Sequence, residues 1–155
     1  MNKVKIDEFI ELLQKYELSI AALYETFATI LPLTRNEWSN YAGEERLHAK
    51  WINVLHGYLK DEKISFEQTK MASQAITTSI DFIERQIQNA LESKIDLKQA
   101  LVFAIDIEES LLESAFLKVF KLNGAKAKKI QARLIEATEA HKNRLIEWQK
   151  RIRNA

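Results

Sequence analysis

Residues 38–59 read WSNYAGEERLHAKWINVLHGYL, and the order of side chains in this stretch decides the fold. Trp38, Tyr41, Glu45, His48, Ile52, Leu55 and Leu59 follow one another at alternating steps of 3 and 4, which keeps them on one face of an α-helix. Glu45 and His48 therefore occupy positions where a packed bundle normally places leucine. Three residues apart on one face, a carboxylate and an imidazole can converge on a single cation.

The same pattern is written twice. Ile10, Leu13, Glu17, Ile20, Tyr24 and Phe27 form an apolar stripe interrupted by one glutamate, and it recurs 92 positions on as Val102, Ile105, Glu109, Leu112, Phe116 and Val119. The helix of Tyr41, Glu45, His48, Ile52, Leu55 and Leu59 recurs at an offset of 93 as Leu134, Thr138, His141, Leu145, Trp148 and Ile152. Such repetition fixes architecture before any local assignment is made. Glu108 also lies on an acceptable stripe (Leu101, Ile105, Glu108, Leu112, Ala115, Val119), so the sequence leaves both glutamates open, and the repeat favours Glu109.

With only three glycines and one proline in 155 residues, little interrupts helices, and no strand is predicted. The first helix is expected over Ile6–Leu31, stopped by Pro32, whose ring clashes with the preceding turn. Thr34 with Glu37 reads as a capping box opening the second helix, which runs to Leu59. After a polar turn, Lys60 to Ile64, Ser65 with Gln68 opens a less regular helix of weaker amphipathicity, reaching Ser93. Asp96 with Gln99 opens the third long helix, which stops at Asn123 and Gly124 through a left-handed turn. The last helix fills the remainder. Residues 1–155 thus read as one all-α domain: a four-helix bundle of two hairpins joined by a crossover containing an extra helix.

Composition narrows the chemistry. The net charge of +1 provides no field for nucleic acid or an anionic membrane. The Lys and Arg residues of the last helix alternate with Glu136, Glu139 and Glu147, which reads as a solvated face. Cysteine is absent, which excludes disulfides, thiolate zinc sites, iron–sulfur clusters and thiol nucleophiles. No signal-peptide pattern or bilayer-length apolar run is present, so a soluble cytoplasmic protein is expected. Tyr24 and Tyr41 lie near the candidate ligands and could donate hydrogen bonds or electrons there, although aromatic rings on an inward stripe, like two of the three tryptophans, read first as core; His56, rotated from His48, reads as a surface residue.

An unpaired buried carboxylate costs several kcal/mol. Glu17, Glu45 and Glu109 pointing inward beside His48 and His141 therefore need compensation, and a metal supplies it. Oxygen and imidazole donors suit iron, manganese or zinc, held as one or two ions. The alternative is a bundle that has lost its metal and serves as an interaction or scaffold module; there Glu45→Ala would raise stability by removing an uncompensated charge.

The spacing of Glu17 seven residues before Tyr24, followed by Ala42-Gly43-Glu44-Glu45-Arg46-Leu47-His48, resembles the rubrerythrin-type branch of the ferritin-like superfamily, in its short form without a rubredoxin domain. The resemblance implies a di-iron carboxylate oxidoreductase reacting with dioxygen or peroxide. Glu17 and His48 would bind one ion, Glu109 and His141 the other, and Glu45 would bridge them. It also implies an external electron donor and a homodimer. Thr138 departs from the pattern, standing where a second bridging carboxylate is expected.

Overall fold

A computed structural model of the chain describes residues 3–58, 66–114 and 124–155. Five α-helices account for nearly all of them: α1 (Lys3–Ile30), α2 (Arg35–Tyr58), α3 (Phe66–Glu92), α4 (Leu97–Ser114) and α5 (Ala125–Arg153). No strand occurs among the described residues. Leu59, the 60–64 turn, the Ser65 cap, Ala115, Phe116, Val119 and Asn123 lie outside them.

Local chemistry sets several of the helix ends. α1 closes where Leu31 leaves helical space (φ −121°, ψ 71°) ahead of Pro32, the extended conformation that a following proline favours. Pro32–Thr34 then form a 3₁₀ turn leading into α2. Thr34 is not a helix cap, because its hydroxyl donates to the Leu31 carbonyl at 3.3 Å within that turn. At α4 the capping box forms as the sequence predicts. The Gln99 amide donates to Asp96 Oδ1 and the Asp96 amide to Gln99 Oε1, both at 2.9 Å, so two otherwise orphaned donors are satisfied. Gly124 is extended (φ −72°, ψ 134°) and stands at the N-cap of α5, where a left-handed turn was expected.

α1 is buried on a broad face because it packs against α2 and α3 together. Ile10, Leu13, Ile20, Tyr24 and Phe27 are buried, and so are Phe9, Tyr16 and Leu23. α3 lies along α1, with Ile76, Ile80, Ile83 and Ala90 buried and Ile87 half-buried between the last two. Its amphipathicity is therefore stronger than its sequence suggests: Thr, Ser and Gln surround the isoleucines without breaking their spacing. α4 packs on α5, and α5 on α2. The hairpins α1–α2 and α4–α5 thus stand side by side, compatible with a helical bundle.

One end of the interior is filled by aromatic rings. Trp38 lies 4.9 Å from Phe27, 5.0 Å from Trp148 and 5.5 Å from Tyr24, centroid to centroid. Such contacts add roughly 0.5–1.5 kcal/mol each beyond area burial. They close that end of the core, and the buried polar groups lie beside them.

Candidate metal centre

Among the described residues, six polar side chains are buried in the core: Glu17 on α1, Glu45 and His48 on α2, Glu108 on α4, and Thr138 and His141 on α5. Four helices contribute because each carries its polar residue within its inward stripe. Glu45 is the hub. Its Oε2 lies 3.2 Å from His48 Nδ1, one helical turn away, and its Oε1 lies 2.9 Å from His141 Nδ1 across the bundle. Glu108 Oε1 lies 3.4 Å from the same His141 nitrogen and accepts a hydrogen bond from the Tyr24 hydroxyl at 2.9 Å. Glu17 Oε2 is 3.9 Å from His48 Nδ1 and has no hydrogen-bond partner.

The α4 register differs from the one chosen by the repeat. Val102 is 46% exposed, whereas Glu108 is 2% exposed; Glu109 is half-buried and takes no part in these hydrogen bonds. The signal was present in the sequence as an offset of 91. Ile10, Leu13 and Glu17 then align with Leu101, Ala104 and Glu108, and both members of each pair are buried. Ala104 is too small to have advertised that stripe. The α2–α5 offset of 93 places Tyr41, Glu45, His48, Ile52 and Leu55 against Leu134, Thr138, His141, Leu145 and Trp148, every one of them buried.

Burial and proximity displace the ionisations. Burial, then the charge of Glu45, pushes Glu17 well above the usual carboxylate range. The same two causes push Glu108 up to about 8. Burial would also raise Glu45, but hydrogen bonds to His141 and His48 outweigh it and hold this carboxylate below its ordinary value. For His141, burial alone would favour the neutral ring; Glu108 and Glu45 reverse that and raise it to about 10. In the metal-free chain at neutral pH, Glu45 is therefore the anion and His141 the cation, while Glu108 holds a proton and burial disfavours the charged form of Glu17. Glu45 is not an uncompensated charge.

These residues fit a cation. Glu45, His48 and His141 offer ligand atoms that all lie within 4.8 Å of one another. Donors about 2.1 Å from one ion and at right angles to each other sit about 3 Å apart, close to the two nitrogen–oxygen distances made by Glu45. The orphaned Glu17 oxygen lacks the partner that a buried acceptor normally finds. A buried Glu/His/His group that can hold a metal ion is therefore present, with hard and borderline donors. Thr138 adds little, since its hydroxyl donates to the Leu134 carbonyl of its own helix at 2.9 Å.

Tyr41 packs edge-on against the His141 ring at 5.5 Å. His56 pairs with Asp7, away from the cluster. Trp51 is half-buried beneath Arg133, and Tyr58 lies beneath Lys126. No helix among the described residues is long and apolar enough to cross a membrane. In comparisons with known proteins, no family model, curated protein or solved structure matches the chain significantly.

Proposed function

We propose that this protein is a single-domain, ferritin-like metal protein of rubrerythrin type that binds iron and reacts with dioxygen or peroxide, using electrons from an external donor. The observation that carries this reading is the position of Glu45, whose two oxygens address two imidazoles from different hairpins while a Glu17 oxygen beside them is left without a partner. Glu17, Glu45, His48, Glu108 and His141 would hold the metal. Glu109, the ligand favoured by the repeat, has the weaker claim because of its exposure. With Thr138 committed to its own backbone, three carboxylates are available, which favours one tightly held ion and a second held more weakly.

Bound ferrous iron supplies electrons for reducing the oxidant. The chain's own residues position and shield. Tyr24 holds Glu108 through its hydroxyl, and the ring cluster around Trp38 keeps water from that end of the site. Metal analysis after anaerobic loading with ferrous ion tests the proposal, with manganese and zinc loaded in parallel. A stoichiometry near one or two supports it, and one near zero for all three metals ends it.

A second reading is favoured by one observation: Tyr24, Glu108, His141, Glu45 and His48 already form a continuous chain of polar contacts. Such a network suits a helical interaction module that no longer uses metal. Thermal unfolding with and without ferrous ion separates the two, since a ligand that binds only the folded state raises the midpoint.

A further inference from the structure

Two consecutive glutamates of α2 reach opposite nitrogens of one imidazole. Glu45 lies in the interior on the Nδ1 side of His141, as described above. Glu44, about 100° around the helix from it, places Oε2 2.6 Å from His141 Nε2. Glu44 is held in turn by Arg144, which stands one turn beyond His141 on α5 and donates to Glu44 Oε2 at 2.6 Å. The Arg144 guanidinium also lies over the Tyr41 ring at 5.1 Å, and Tyr41 packs edge-on against His141. Glu44 is 37% exposed, yet the imidazole it touches is 2% exposed.

We propose that Glu44 is the positioning residue of this centre: by holding Nε2 of His141 from the surface, it aims Nδ1 at the interior and keeps that nitrogen available to a metal ion. This rests on the metal-binding reading above. Arg144 sets Glu44, and Tyr41 limits the tilt of the ring.

The physical reason lies in the two ring nitrogens. A ligating imidazole must present one bare nitrogen, and the group facing the other decides which tautomer and which orientation prevail. Carboxylates in that outer position are commonly worth 10–100-fold in metal affinity. An ordinary exposed ion pair contributes little. Here one partner is a buried ring inside the candidate centre, so the contact acts on ligand geometry. His48 receives its carboxylates at Nδ1 only among the contacts described, so the device belongs to the second hairpin.

Anaerobic titration with Co2+ tests the proposal, because its visible absorption reports the ligand field at the ion. Glu44→Ala should weaken Co2+ binding about 10–100-fold and change the spectrum. Glu44→Gln keeps the bulk of the side chain and an oxygen beside Nε2 but loses the charge, and should recover part of the affinity and return the spectrum toward wild type. Arg144→Ala should act in the same direction as Glu44→Ala, by less. Alanine at this half-exposed helical position is compatible with folding, and circular dichroism verifies it. Wild-type affinity and spectrum in Glu44→Ala would overturn the proposal. Failure of the wild-type protein to take up Co2+ would count against the metal reading instead. Long-range 15N NMR of the metal-free protein then decides: Glu44→Ala must move the Nε2 signal of His141 while leaving His48 in place, and an unmoved His141 signal overturns the assignment.

Discussion

The two hairpins hold their histidines by different means. His48 meets carboxylates from within its own hairpin, Glu45 one turn away and Glu17 on the adjacent helix. His141 meets none from its own helix; Glu44 and Glu45 come from α2 and Glu108 from α4. The first arrangement follows from spacing on two adjacent helices. The second exists only once the hairpins dock, so it depends on the rotation of α4 and α5 about their axes. A pattern shared by two halves of a chain therefore does not ensure that both halves deliver their polar groups in the same way.

The largest test of this difference is Glu45, the one residue serving both histidines. Glu45→Ala leaves His141 without its closest interior counter-charge, and breaking a buried pair costs about 3–5 kcal/mol. The metal-free variant should unfold at clearly lower urea concentration and bind no ferrous ion. This reverses the stabilisation expected from sequence for a metal-free bundle, because both Glu45 oxygens are occupied. Greater stability of the variant would falsify the account.

The α4 register is tested next, by paired substitutions at neighbouring positions. Glu108→Gln should lower metal occupancy strongly while changing metal-free stability by less than about 1 kcal/mol, because Glu108 already carries a proton at neutral pH. Glu109→Gln should leave both within error, about 0.5 kcal/mol for a substitution away from the core network. The opposite ranking in metal analysis would restore the register chosen by the repeat.

The pH dependence of the metal-free protein follows from the same buried groups by linkage. His141 is raised to about 10 in the folded protein, against about 6.5 when unfolded. The folded state thus binds the extra proton, so this stabilisation is fully present below about pH 6.5 and is lost as pH rises through about 10. Glu108, raised to about 8, acts in the same direction: its neutral form is the one the fold tolerates, and stability declines as pH rises from about 4.5 through about 8. Urea midpoints of the metal-free protein at about pH 6, 8 and 10 should fall in that order. Saturating metal should flatten the trend, since binding displaces the same protons.

An effect well below that at Glu45 is expected at Tyr24, where the first hairpin touches the second. Tyr24→Phe removes the hydroxyl that Glu108 accepts from, a loss of about 1 kcal/mol. Chemical unfolding should show that change with the cooperativity of the transition unaltered.

Most of the first hairpin is legible in the sequence. Glu17, Glu45 and His48 were named from spacing, and all three are buried in the core. The repeat favours Glu109 over Glu108 for a physical reason. Helix phase follows the summed size of a stripe, and the buried face of α4 is built partly from Ala100 and Ala104, whose small side chains weigh little in an apolar pattern; exposed Val102 outweighed them. Glu44 was not legible as a positioning residue at all. It lies off the inward stripe among charged neighbours, and its contacts come from α5, about 100 residues away along the chain.

By itself the sequence determined that this chain forms long amphipathic helices, where α1 stops and α4 begins, and which acidic and imidazole groups of α1 and α2 face inward. Those outcomes rest on interactions within one or two turns, where the 3.6-residue period and local capping act directly. Only the tertiary structure decided which α4 glutamate joins the cluster, that Glu45 spans both histidines, and that Glu44 lies against the outer nitrogen of His141. Each of these depends on how far one helix is rotated against another, and that rotation is set by the packing of the whole core.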